Sequence, residues 1–421
     1  MVAITQAVKS VIHRISDNNP KAIYKITVND TDISTVLNTR LISMSIEDHR
    51  GLESDSISIE LSDHDGKLNI PPKGAELKAW IGWESTGLVY KGKFIVKELE
   101  HSGSPDTLHI RATSADLKKS FKKKKERSFN KKTIEQIVTQ IAYEQNLIPS
   151  VHNSLALIEL AHIDQNESDA NLITRIADEY DAIATVKHGI LLFIPKGLSQ
   201  TAKGTDLPTA EIHRIDGDKH RYSLSSGHDE ISGVTCFYYD EKKAQKQKVT
   251  VGDTDEHTKE LRNFCRDQRT ALHMARSQFN KLKRKAATFS ISLAYGMPEL
   301  IPETELAFFG WKTEITDVVW LGTHITHELD GSNGFTTHIH AEVKMPDSDD
   351  IAQLIDDKGG TYTGIVAYYK DGVSTSKITR GDQKSPKRLT FLYKNKATAT
   401  TAADREWKAL KDEQAKKNRL T

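Results

Sequence analysis

Three histidines form the clearest grouping of ligand-type side chains in this sequence. Thr323-His324-Ile325-Thr326-His327 and His338-Ile339-His340 flank a turn segment, Asp330-Gly331-Ser332-Asn333-Gly334. Period-two alternation along two such arms puts His324, His338 and His340 on one face of a hairpin, where three imidazoles could hold a divalent metal. The alternative is a His-rich strand facing solvent or an interface. No acidic general base or cleft-forming motif accompanies the three. Asp347-x-Asp349 has the opening spacing of a calcium loop, but Ile351 stands where the third ligand belongs and no glycine follows at the sixth place. A linker is the better reading. Cys236 and Cys265 are the two cysteines, without a CxxC pair, which excludes a disulfide framework and a thiolate zinc site. Cys265 reads as a buried structural thiol on an apolar helix face. GxGxxG, GK[ST] and GxSxG motifs are absent, and acidic pairs such as Asp216/Asp218 are too generic for glycosidase chemistry. The sequence predicts no catalytic residue and no cofactor.

The strongest electrostatic feature is residues 118–132, with nine basic residues against one acidic, a net +8. Lys122, Lys123, Lys124, Lys125 and Arg127 are its centre and candidates for contact with an acidic partner surface or phosphate. The plainer reading is a solvated connector. Phe121 and Phe129 give too little aromatic interleaving for base stacking.

The elements that must position these groups follow from periodicity. Ile57-Ser58-Ile59-Glu60-Leu61 alternates, the mark of a strand with one buried face. Similar segments at Tyr24–Val28, Leu77–Trp83, Leu88–Leu99 and Leu108–Ala112 predict a small barrel or sandwich over residues 1–117. Residues 118–206 predict an α+β insert. One helix opens at Thr133 with Gln136 in a capping box and a stripe of Ile134, Ile137, Val138 and Ile141. A second begins at Ser168, and a hairpin follows across His188-Gly189. Residues 207–346 return to β at Val234–Tyr239, Phe289–Leu293, Glu305–Phe309 and the histidine hairpin, with one long helix predicted from Thr258 to Lys285. Residues 347–421 predict an acidic linker, short strands and a final helix from Ala402 to Lys417. The fold class is therefore mainly β, with two small barrel-like domains in tandem, a helix–helix–hairpin insert between them and a small C-terminal β/α extension.

Composition sets the outer bounds. A chain of 421 residues implies two to four domains. Hydrophobic residues are 37%, charged residues 28% and the mean hydropathy −0.52, as in a protein that exposes much polar surface. Apolar runs such as Ile190–Ile194 fall far short of the ~20 residues of a membrane helix. The segment from Met1 to Ile15 lacks an apolar signal core, which predicts synthesis in the cytoplasm.

Several stretches resemble the late control gene D proteins of contractile-tailed phages. They are the Lys-rich run from Phe121 to Phe129 leading into Thr133-Ile134-Glu135-Gln136, and Gln165-Asn166-Glu167-Ser168-Asp169-Ala170-Asn171-Leu172. Gly217-Asp218-Lys219-His220-Arg221-Tyr222 follows, then Tyr362-Thr363-Gly364-Ile365-Val366-Ala367-Tyr368-Tyr369 and Arg405-Glu406-Trp407-Lys408. They lie in order along most of the chain. The resemblance implies a baseplate hub in the virion tail: a homotrimeric ring whose two barrels per chain approximate six-fold symmetry. Such a ring joins the hexameric tail tube to the trimeric spike around a central channel. Its implied partners are copies of itself, tail tube protein, spike protein, other baseplate proteins and a tape measure, with DNA as transient cargo. The resemblance implies no active site. A headless injection particle, a secretion-type spike hub and a tail-associated cell-wall hydrolase are the alternatives.

The overall charge of +1 conceals segregation. Val366–Thr421 carries fourteen basic and six acidic residues, a second +8, which leaves −15 for the rest of the chain. In a hub, this predicts an acidic channel along which DNA slides, with basic segments facing partners.

Overall fold

Alternation builds the first sheet. In β4 (Ser56–Ser62), Ile57, Ile59 and Leu61 are buried and the intervening serines and glutamate face outward. The computed structural model describes residues 20–114, 119–187, 189–197, 199–200, 206–225, 231–240, 243–252, 257–265, 267–346, 362–372, 374–384 and 386–420. Asp347, Asp349 and the acidic linker lie outside these residues, as do Lys118 and His188.

The first region contributes β1 (Ala22–Val28), β2 (Thr31–Asp32), β3 (Leu41–His49), β4, β5 (Glu76–Trp83), β6 (Gly87–Ser102) and β7 (Thr107–Ser114). Two long strands from later in the chain, β20 (Trp320–Asp330) and β21 (Gly334–Val343), form the histidine hairpin. β20 then pairs antiparallel with β3, from His324 opposite His49 to Asp330 opposite Ser43. One sheet of thirteen strands therefore runs through both β regions. Beyond β21 it continues to β18 (Ala287–Leu293) and β14 (Gly217–Leu224), while β13 (Ala210–His213) and β19 (Glu305–Phe309) branch from β20. The two β regions thus share one sheet, each packed over a core of its own. Among the described residues neither region closes on itself by strand pairing, because β3 gives its second edge to β20 rather than to β1.

The insert holds β8 (Lys124–Thr133), β9 (Ile148–Val151), β10 (Glu159–Ser168), β11 (Ala182–Lys187) and β12 (Ile190–Pro195), with helices Ile134–Glu144 and Asp169–Glu179. Both helices bury their apolar stripes in a core of their own, which also takes Phe121 and Phe129. Thr133 caps the first helix reciprocally with Gln136.

The long helix expected from Thr258 is two elements. Thr258–Cys265 is β17, parallel to β15 (Gly233–Asp240), and the helix is Gln268–Arg284. Asp267 makes the break: its carboxylate accepts from the Thr270 amide at 2.9 Å, an N-cap geometry. Cys265 thus ends a strand. β15, β17 and β16 (Gln245–Gly252) form a separate three-stranded sheet, covered on one face by the Gln268–Arg284 helix.

The C-terminal module is a sheet in the order β23 (Ser374–Gly381), β22 (Gly364–Asp371), β24 (Pro386–Tyr393), covered by helix Lys396–Leu420. That helix starts six residues earlier than the sequence predicts, because the Asn395 side chain caps it through the Thr398 amide at 3.0 Å. Ile365, Ala367, Ala399 and Ala403 enter the same core as Trp320 and Phe289, so the module is packed onto the second β region. Among the described residues, no helix is long and apolar enough to cross a membrane.

Candidate functional site

The basic run is largely a strand, and strand alternation sorts its charges. Lys122, Lys123 and Lys124 are exposed, whereas Lys125, Arg127 and Phe129 turn inward. Lys125 Nζ lies 2.6 Å from both Glu144 and Asp169. Arg127 reaches Glu144 at 2.6 Å, Asp169 at 2.8 Å and the Gln165 side-chain oxygen at 2.7 Å. Asp169 is 0% exposed. Gln165 and Gln145 each donate a further amide bond to it at 2.9 Å. A carboxylate removed from water is tolerable only when its oxygens are paired in this way. The stretch Gln165-Asn166-Glu167-Ser168-Asp169 thus encodes a buried knot: Ser168 caps the helix, and Asp169 ties β8, β10 and both insert helices together. Burial pushes the Glu144 carboxyl up, but hydrogen bonds from Lys125 and Arg127 outweigh it and hold the group at about 2.

A second set of charges crosses the β3–β20 seam. Lys91, from β6, places Nζ 2.8 Å from the Asp48 carboxylate of β3 and 3.3 Å from the carbonyls of Pro298 and Leu300. His327 of β20 lies beside this pair, fully buried. The Leu300 carbonyl, 3.3 Å from Nε2, can only accept, so Nε2 carries the proton. Nδ1 then accepts from the Thr337 hydroxyl at 3.0 Å, whose oxygen accepts from the Met297 amide at 2.9 Å. Burial, with help from the Lys91 cation, pulls the imidazole down to about 3, so it is neutral. Arg50 reaches across to Glu303 at 2.6 Å and Glu342 at 2.5 Å. Arg284 clasps Asp181 of the insert, and Lys187 of the insert pairs with Asp55 of the first region. The two β regions and the insert are thereby braced against one another by buried or half-buried ion pairs.

The three predicted histidines do share one face of the hairpin, but they do not gather. His338 is held by Ser292 at 2.7 Å and Glu328 at 2.9 Å. His324 instead meets His49 of β3, Nδ1 to Nδ1 at 3.0 Å, with its Nε2 on Thr326 and the His340 ring centroid 5.8 Å away. No group of three or more His, Cys, Asp or Glu among the described residues is arranged to hold a metal. His49 had no sequence signal, since only the β3–β20 pairing brings it there. The Asp169 knot had one: a Ser cap followed by an acid, opposite a strand that alternates Lys, Arg and Phe.

The sequence profile of the phage tail baseplate hub (GPD) family matches residues 86–333. The chain is also 37% identical over 366 residues to the probable baseplate hub protein of Escherichia phage 186, spanning 77% of this chain and 93% of that protein. The chain belongs to the phage tail baseplate hub family. The probable baseplate hub protein of Escherichia phage P2 is 36% identical over 365 residues, spanning 77% and 94% of the two chains. The fold is shared with a tail protein from Neisseria meningitidis MC58, at a TM-score of 0.57 and 13% identity, over 76% of this chain and 96% of that one. The stretch matched by the hub family runs from the β5–β6 turn, through the whole insert, to the turn of the histidine hairpin. It therefore contains the Asp169 knot and the Lys91 and His327 side of the seam. This hub is a tail component whose gathered polar side chains pair across its modules.

Proposed function

We propose that this hub is a non-enzymatic symmetry adaptor. Three copies form a ring, each contributing two β regions, so that the ring offers six similar units to a hexameric tail tube and three-fold contacts to a spike. The observation that carries this reading is the β3–β20 seam. Main-chain pairing and the Lys91–Asp48 and Arg50–Glu303 braces fix the angle between the two β regions. One chain needs such a fixed angle if its halves are to stand at neighbouring positions of a single ring. The insert adds surface for further baseplate proteins or a tape measure: Tyr143, Ile148 and Leu157 are large apolar side chains at 67%, 65% and 77% exposure. Lys122, Lys123 and Lys124, exposed as Lys131 and Lys132 also are, are the outward residues at the centre of the basic run and suited to an acidic partner. DNA passes through the channel as cargo, and the chain is made in the host cytoplasm before it joins the tail.

Light scattering on the purified chain, alone and with its spike protein, tests the ring. The expected mass is that of a trimer in at least one of the two samples, and a monomer in both overturns the adaptor. A zymogram on intact murein is expected to show no clearing, and clearing would replace the non-enzymatic reading.

A further inference from the structure

The chain contains two cysteines, 29 residues apart in sequence, and the fold brings them together. Cys236 lies in the central strand β15 and Cys265 at the end of its parallel neighbour β17, beyond a register shift that sets the two side chains diagonally. Their Sγ atoms are 3.4 Å apart. Exposures are 0% and 5%, and the surroundings are apolar: Val234, Val249, Ala271, Ala275 and Phe279, with the Met274 sulfur 3.9 Å from Cys265. Packing alone asks for no sulfur at either position, since alanine or valine fills such sites throughout this core. The two thiols are already in van der Waals contact on adjacent strands, so the sulfurs have little distance left to close.

We propose that Cys236 and Cys265 form an intramolecular disulfide when the hub meets a small peroxide-type oxidant, cross-linking β15 to β17 beneath helix Gln268–Arg284. A hub enters a particle that leaves the reducing interior of a cell for an oxidising exterior, where such a bond persists. The roles of the two sulfurs follow from their contact. The Cys265 S–H faces the Cys236 sulfur and stabilises it as thiolate, lowering Cys236 and raising Cys265. The Cys236 thiolate attacks one oxygen of hydrogen peroxide, an S–O bond forms, the O–O bond breaks, and hydroxide leaves to take up the proton released from Cys236. The Cys265 sulfur then attacks the sulfur of the Cys236 sulfenic acid. The S–S bond forms, the S–O bond breaks, and the hydroxyl departs as water with the Cys265 proton. Two thiols and one peroxide give one disulfide and two waters. The oxidant is small enough to enter on local opening of β17, an edge strand of its sheet.

The test is to treat the reduced full chain with hydrogen peroxide, quench with catalase, unfold it, and alkylate with N-ethylmaleimide. Intact mass and peptide mapping are then read. The expected result is loss of both alkylatable thiols, a mass lower by two hydrogens, and a Cys236–Cys265 linked peptide within a single chain. Melting should rise by several degrees relative to the reduced form and return on reduction. C265S should stop at a Cys236 sulfenic acid that a dimedone probe traps, whereas C236S should leave Cys265 largely unmodified. Full alkylation of both thiols after peroxide, links between chains, or separate overoxidation of each sulfur would overturn the proposal. Circular dichroism of the reduced variants reports folding. If either serine variant is unfolded, the wild-type mass and peptide map still decide the matter.

Discussion

Lys91 Nζ lies 2.8 Å from the Asp48 carboxylate, with 2% and 6% of the two side chains exposed. The pair sits where the two β regions become one sheet. Breaking a buried pair from one side strands the other charge in a dry site. Lys91→Met is therefore expected to cost about 3–5 kcal/mol, and the D48N/K91M double variant to recover a large part of it. Urea unfolding of the wild type and the two variants measures both. Equal losses in the single and double variants would show that the pair does not act as a unit.

Asp169 is the centre of the insert. Asp169→Ala leaves Lys125, Arg127, Gln145 and Gln165 facing an empty place, and about 3–5 kcal/mol of stability should go with it. Arg127→Gln, at a half-buried position, should cost about 1.5–3 kcal/mol. Hydrogen exchange should show the loss first in helices Ile134–Glu144 and Asp169–Glu179, with the β3–β20 seam protected as before.

Acid should loosen the hub in two stages. His327 is neutral in the fold and held at about 3, against 6.5 free, so the unfolded chain binds the extra proton first. Stability is then intact above about pH 6.5 and falls as pH drops towards 3. Glu144 is held at about 2 against 4.5, so its contribution is present above pH 4.5 and lost as pH falls towards 2. The buried His327 removes up to about 1.4 kcal/mol per pH unit within its window, and the exposed Glu144 a fraction of that, since solvent screens its ion pairs. Denaturation midpoints from pH 8 to 3 should show the slope. H327Q should flatten the upper part and E144Q the lower.

Gly381 holds φ at +70°, and a Cβ there would stand 2.5 Å from the Thr363 carbonyl oxygen and 2.8 Å from Trp407 Cζ2. The backbone oxygen cannot give way. Gly381→Ala should cost about 2 kcal/mol or more through left-handed strain and this clash. The loss should appear in proteolysis of the C-terminal module, with the β3–β20 seam unaffected.

Much of the local structure was written in the residues. Alternation in Ile57–Leu61 fixed a half-buried strand, the Thr133/Gln136 box fixed a helix start, and the hairpin arms followed from their turn. These depend on neighbours within a few residues, where steric preference and capping act. The family was legible too, because the Gln165–Leu172 stretch and its companions stand as contiguous words in the sequence. Asp267 and Asn395 carried cap signals that were outweighed by longer apolar patterns, and each set an element boundary apart from its expected place.

What the tertiary structure alone decided is which distant groups meet. Residues of β3 and β20 lie some 280 positions apart, and no periodicity in either strand names the other as its edge. That one pairing joined the two β regions in a single sheet, put His49 rather than His338 against His324, and buried Lys91 with Asp48. The lysine run shows the same division. Its net charge of +8 was plain in the sequence, but strand alternation against β10 turned Lys125 and Arg127 inward, because Asp169 could be buried only with cations beside it. Sequence set the charges and the periods; long-range strand pairing and the cost of burying a charge without a partner chose their company.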